Sequence, residues 1–131
     1  MICLSWYGVL QKKNLKTKFF KFKMFEIKEL KLVSRDYRRA IREFYFDKGI
    51  LRTDVIIIYP GCVIGNHYHK ITEEYFLILN GKVCLAIGEK EGKLERIVKP
   101  YNIIHITPET PHAFKTYDNP ATILKYTPHK Y

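Results

Sequence analysis

Cysteine is scarce in this 131-residue chain, and glutamine is almost missing. Cys3, Cys62 and Cys84 are an odd number without CxxC spacing. That pattern argues against a disulfide framework and fits a reducing cytoplasm. Gln11 stands alone beside many Lys, Ile and Tyr, a bias seen in thermophiles and equally in some genome base compositions. No apolar run approaches the ~20 residues that a membrane helix requires, so no membrane partner is expected. Acid is missing from residues 1–23, which carry lysines 12, 13, 16, 18, 21 and 23. A secretory signal runs basic and then apolar. Here ICLSWYGVL comes before the lysines, so export is not expected. Long helical periodicity, internal repeats and low-complexity tracts are absent too.

What remains is an ordinary globular composition, 47% hydrophobic and 27% charged, with room for one core. The formal charge is +10. Residues 24–131 carry 17 basic and 13 acidic residues, so the excess sits in the tail. The chain divides into a basic tail over 1–23 and one domain over 24–131. Three readings of the tail stay open. It is a basic arm for nucleic acid or anionic lipid, a strand that packs on the domain, or an extension ahead of a true start at Met24. Residues 12–23 lack helix-turn-helix patterning, so nucleic acid is not the expected partner.

The domain reads as short strands. FEIKELKL over 25–32 alternates. Residues 34–44 fit a Ser34-capped helix or a strand, with strand favoured over 41–46. Val55–Tyr59 is a β-branched run ended by Pro60-Gly61. Glu74–Leu79, the Asn80-Gly81 turn and Lys82–Ile87 form a hairpin. Further strands fall at Leu94–Val98, Ile103–Ile106, Ala113–Tyr117 and Ile123–Tyr126. Turns every 8–12 residues predict an all-β sandwich or barrel.

Within it lies GCVIGNHYHKITEEYFLILNG, residues 61–81. On a strand, His67 and His69 share a face and present two imidazoles to a divalent metal. Glu73 and Glu74 follow, and only one of two adjacent residues can face inward. Two histidines and a carboxylate with open positions suit Fe(II), with Zn, Mn, Ni and Cu also plausible. His112 can add a third imidazole.

The spacing Gly61-x5-His67-x-His69-x4-Glu74-x6-Gly81 resembles the first motif of the cupins in full. The resemblance implies a double-stranded β-helix, the cupin or jelly-roll barrel. It implies a metal held by His67, His69, Glu74 and His112, and it selects Glu74 over Glu73. The second motif departs from the family's Pro-x-Gly-x-x-His. Thr107 stands for the Pro and Glu109 for the Gly, while His112 is kept. DYRR…EF over 36–44, GNHYHK and EEYFLILNG are also similar to cupins that act on sugar nucleotides. These include dTDP-sugar 3,4-ketoisomerases and the epimerase-like domain of a capsular-polysaccharide sugar reductase. In the ketoisomerases an HxHK segment supplies a proton-shuttling histidine, which implies catalytic roles for His67 and His69. Those enzymes generally lack the full His, His, Glu, His set, so keeping it here argues for metal.

The expected activity is sugar-nucleotide isomerisation or epimerisation with a divalent transition metal (Fe, Mn, Zn or Ni), with oxygenase chemistry second. The alternative is a non-catalytic metal or small-ligand binding cupin, a sensor or storage protein. The expected partners are a small-molecule substrate and a second copy of the chain. His105 reads as a hydrogen-bonded structural histidine, Glu73 as a surface or interface acid, and Tyr68 as packing. Cys62, Cys84, Tyr59, Tyr75, Phe76 and Phe114 read as core, and His129 as exposed.

Overall fold

A computed structural model of the chain describes residues 24–45, 49–50, 52–89 and 92–128. The tail over 1–23 and His129 lie outside them. Eleven strands run through the described residues, in order β1 Phe25–Glu29, β2 Lys31–Arg35, β3 Ala40–Glu43, β4 Arg52–Ile58, β5 Val63–His67, β6 Glu74–Asn80, β7 Val83–Glu89, β8 Gly92–Val98, β9 Asn102–Ile106, β10 His112–Thr116 and β11 Ala121–Thr127. No helix occurs among these residues, so none is long and apolar enough to cross a membrane.

Two antiparallel sheets face one another. One has the order β1-β9-β6-β11-β4 and the other β5-β10-β7-β8. Alternation decides what lies between them. The first sheet turns Ile58, Phe76, Ile78, Ile104, Ile106 and Ile123 inward, and the second turns Val83, Leu85, Ile87, Val98 and Phe114 to meet them. Phe76 and Phe114 touch across the gap with ring centroids 4.7 Å apart. This is the jelly-roll barrel that the motif spacing implies.

The tight β6–β7 turn depends on Gly81. Its φ is +91°, and a Cβ would fall 2.5 Å from the Pro120 carbonyl oxygen. Any other residue there must move the β10–β11 turn.

The expected strand over 25–32 is broken at Leu30, whose N–H donates to the Tyr101 carbonyl at 2.9 Å. β1 therefore stays on β9, and β2 leaves to pair with β3. The helix alternative for 34–44 loses to turn chemistry. Asp36 accepts from the Arg38 N–H at 2.8 Å and the Arg39 N–H at 3.3 Å. A short acceptor that serves the next backbone donors favours a turn over a helix. The result is a two-stranded hairpin with Arg35 opposite Ala40. The expected strand over 41–46 starts one residue earlier and ends at Glu43.

Candidate metal centre

The site sits at one end of the barrel, where β5 stops, β6 and β10 start, and the 107–111 loop crosses. His67 reaches it through a bulge. Ile64 pairs with Phe114 and His67 with His112, so β5 spends three steps where β10 spends two. In an unbroken strand Ile64 and His67 would face opposite ways. The extra residue at Gly65-Asn66, with Gly65 at φ +85°, brings both to the inner face.

His69 lies beyond the end of β5, in irregular chain. The strand rule for residues i and i+2 therefore does not explain the pair. What holds His69 is a hydrogen bond from the Glu109 N–H to its carbonyl at 2.6 Å. The two rings still meet edge to face, 4.6 Å between centroids. His112 opens β10 at 5.0 Å from the His67 ring.

Glu74 is the first residue of β6 and is buried. Its Oε1 lies 3.3 Å from Nε2 of His69 and 3.3 Å from Nε2 of His112. One ligand atom from each of His67, His69, Glu74 and His112 lies within 4.8 Å of all the others. Burial is graded across the four: His67 is exposed, His69 is intermediate, and Glu74 and His112 are buried. The cluster thus opens to solvent on the His67 side.

The electrostatics suit a cation. The His112 Nδ1–H donates to the Thr110 carbonyl at 2.9 Å, which leaves Nε2 as the lone-pair nitrogen of the neutral ring. His67, exposed on its outer side, is pushed down to about 4, first by partial loss of solvent on its inner side, then by the neighbouring His112 and His69 rings. His69 is lowered too, chiefly by burial, against the pull of Glu74. Imidazole nitrogens and a carboxylate oxygen thus face one another at close range. A proton on one of these rings or a cation among them relieves the repulsion of facing lone pairs. The donor set fits a divalent transition metal.

The altered second motif keeps its shape by other means. Thr107 donates its N–H to the Met24 carbonyl at 3.0 Å and its hydroxyl to the same oxygen at 2.8 Å. A proline at 107 has no N–H to give. Thr110 adds a third donor to that carbonyl at 3.3 Å. Glu109 takes the left-handed conformation, φ +62°, at the position the family gives to glycine.

Glu73 points the other way. Its carboxylate lies 2.8 Å from Nε2 of His105, whose ring stacks on Tyr75 at 4.3 Å between centroids and 6° between planes. His105 is hydrogen-bonded, in line with its structural reading. Tyr68 and Tyr59 are exposed rather than packed, whereas Cys84, Tyr75, Phe76 and Phe114 are buried. Sequence reasoning passed over Lys125 and Asp54. Lys125 Nζ lies 3.2 Å from Glu74 Oε2 and 3.6 Å from Asp54 Oδ2. The available signal was strand parity, because Lys125 shares the inward face of β11 with Ile123.

Comparison with known proteins places this geometry. The chain resembles a 3,4-ketoisomerase from Helicobacter canadensis at 17% identity, over 82% of this chain and 84% of that one, with a TM-score of 0.73. It resembles a TDP-quinovose 3,4-ketoisomerase from Campylobacter jejuni at 18% identity, over 84% and 88%, with a TM-score of 0.73. A dTDP-6-deoxy-D-glucose-3,5-epimerase from Legionella pneumophila, in complex with dTDP-4-keto-L-rhamnose, aligns at 15% identity over 85% and 70%, with a TM-score of 0.69. At such identities the likeness establishes a shared fold. No curated protein matches the sequence. The family model described as the cupin domain matches residues 54–125, which hold all four clustered side chains. The chain therefore belongs to the cupin domain family.

Proposed function

We propose that this cupin is an enzyme that isomerises or epimerises a sugar nucleotide with a mononuclear divalent metal. His67, His69, Glu74 and His112 hold the metal. The observation that carries the metal is the convergence of their four ligand atoms within 4.8 Å at an open end of the barrel. The substrate class rests on the fold shared with ketoisomerases and an epimerase of TDP-sugars. When bound, a divalent metal supplies Lewis acidity toward a substrate carbonyl oxygen.

The chain's own residues do the rest. The exposed His67 side is where substrate reaches the metal. The buried Glu74 and His112 anchor the site from below, above the Phe76 and Phe114 rings. A histidine that titrates at about 4 is a weak base near neutrality. That favours His67 as a ligand over His67 as the proton acceptor, so the histidine pair acts in catalysis through the ligand set.

The test has two arms. Metal analysis is made on protein purified without a histidine tag. About one metal per chain is expected in the wild type, and loss in His67→Ala. An NDP-4-ketosugar is then incubated in deuterated water, and deuterium is expected at C3 of the recovered or epimerised 4-ketosugar, or at C4 of the 3-ketosugar that isomerisation forms. Bound metal without exchange would sink the sugar-nucleotide reading and leave a binding module.

A homodimer is part of this reading. Among the described residues β4 is an edge strand; its Val55 and Ile57 are 67% and 59% exposed, and Tyr59 just past its end is 71% exposed. Apolar edges of this kind are usually covered. Sedimentation velocity should show a dimer that Ile57→Lys weakens, and a wild-type monomer would refute it. The unpaired Cys62 and Cys84 fit a cytoplasmic protein.

A further inference from the structure

Every ligand of the cluster except Glu74 belongs to β5, its extension or β10. Glu74 comes from the opposite sheet, and that sheet supplies a second feature that metal binding does not require. Lys125 projects inward from β11, beside Asp54 on β4 and Phe76 on β6, its cross-strand partners. Its side chain is only 16% exposed. The ammonium lies 3.2 Å from Glu74 Oε2 and 3.6 Å from Asp54 Oδ2, and Arg52 Nε braces the other Asp54 oxygen at 3.1 Å. The two Glu74 oxygens are thus divided. Oε1 faces His69 and His112, and Oε2 faces Lys125.

We propose that Lys125 is a positioning residue, the resident counter-charge of Glu74, and that it competes with the metal for that carboxylate. This rests on the metal reading given above. A buried carboxylate without a cation is costly. Lys125 removes that cost whether or not a metal is bound, so the site can persist empty. The consequence for the metal is repulsive. A divalent ion at the histidine cluster faces an ammonium on the far side of the same carboxylate. Like charges a few ångströms apart in a half-dry site oppose one another strongly. Lys125 also commits Oε2, so Glu74 offers the metal one oxygen. The site is therefore tuned to moderate affinity. Asp54 moderates the effect by sharing the ammonium.

The experiment titrates Zn(II) alone into the full chain against a competing chelator at pH 8, where free imidazoles are neutral, and records thermal unfolding with and without zinc. Lys125→Met is expected to bind zinc at least about tenfold tighter than the wild type. Its melting temperature should fall without zinc and rise more on zinc addition than that of the wild type. A lysine with only a structural role would lower stability and leave the zinc-induced rise unchanged. Asp54→Asn is expected to move the other way, with zinc bound several-fold more weakly, because the ammonium loses its second carboxylate. If Lys125→Met does not fold, Asp54→Asn decides alone, and equal or tighter binding there overturns the proposal. Wild-type zinc binding that Lys125→Met leaves equal or weaker overturns it too, with the metal site intact. Zinc bound by Lys125→Met but not by wild type supports the competition. Zinc bound by none of the three takes down the metal reading and this proposal together.

Discussion

Glu73 and Glu74 are chain neighbours, both are buried, and both meet histidine, yet they sit in opposite chemical situations. Glu73 meets one imidazole at 2.8 Å, and that ring is itself stacked on Tyr75. One carboxylate and one imidazole satisfy one another. Glu74 meets two imidazoles at 3.3 Å, with His67 close behind and an ammonium on its other oxygen. One carboxylate cannot serve three imidazoles. The two glutamates part where β6 begins, with Glu74 as its first residue and Glu73 just before it. That step separates a structural pair from a site that calls for a cation.

The largest test of this contrast is metal content. On the proposed metal reading, Glu74→Gln should weaken metal binding by more than about 100-fold, since it removes a direct ligand rather than an outer partner. Glu73→Gln should leave it within about twofold, and equal losses in the two variants would erase the distinction. Chelator competition on both proteins measures this directly.

The next effect is pH dependence in metal-free protein. In the unfolded chain His67 takes up a proton near 6.5, but in the folded protein it resists until about 4. Between those values the unfolded state binds more protons, so acid favours unfolding. Stability is therefore level above about pH 6.5 and falls as pH drops toward 4. His69, lowered in the same direction, adds to the slope. Urea midpoints across that range should show the fall, and His67→Asn should flatten it.

How far the sequence reveals all this differs residue by residue. The barrel is legible because its inward residues alternate through β6, β7 and β9, and because Asn80-Gly81 marks the central hairpin. The grouping of His67, His69, Glu74 and His112 is legible through motif spacing. The reason for it is not. A period-two reading cannot anticipate a bulge at Gly65-Asn66 that reverses parity, nor a histidine held beyond the strand by a loop N–H. Thr107 and Glu109 look like damage to the second motif. In the fold Thr107 ties β1 to the loop, and Glu109 holds the conformation that glycine would take. Lys125 and Asp54 are hidden because they become meaningful only across the sheet: Lys125 lies about 50 residues from Glu74 and about 70 from Asp54 along the chain.

On the Glu73 side the expected effects are smaller and purely structural. His105→Ala removes the partner of a nearly buried carboxylate and should cost about 1–2 kcal/mol. Metal content should not change. Tyr75→Leu is the finer probe. Leucine fills part of the same volume but has no face for the imidazole. Parallel stacking of two rings adds roughly 0.5–1 kcal/mol beyond area burial. Tyr75 is also buried, so part of any loss reflects packing. The double variant Tyr75→Leu with His105→Ala separates the two contributions. If stacking matters, the two losses fall short of additive by roughly 0.5 kcal/mol or more. If they add fully, the ring contact is incidental, and the Glu73–His105 hydrogen bond alone fixes that side of the strand.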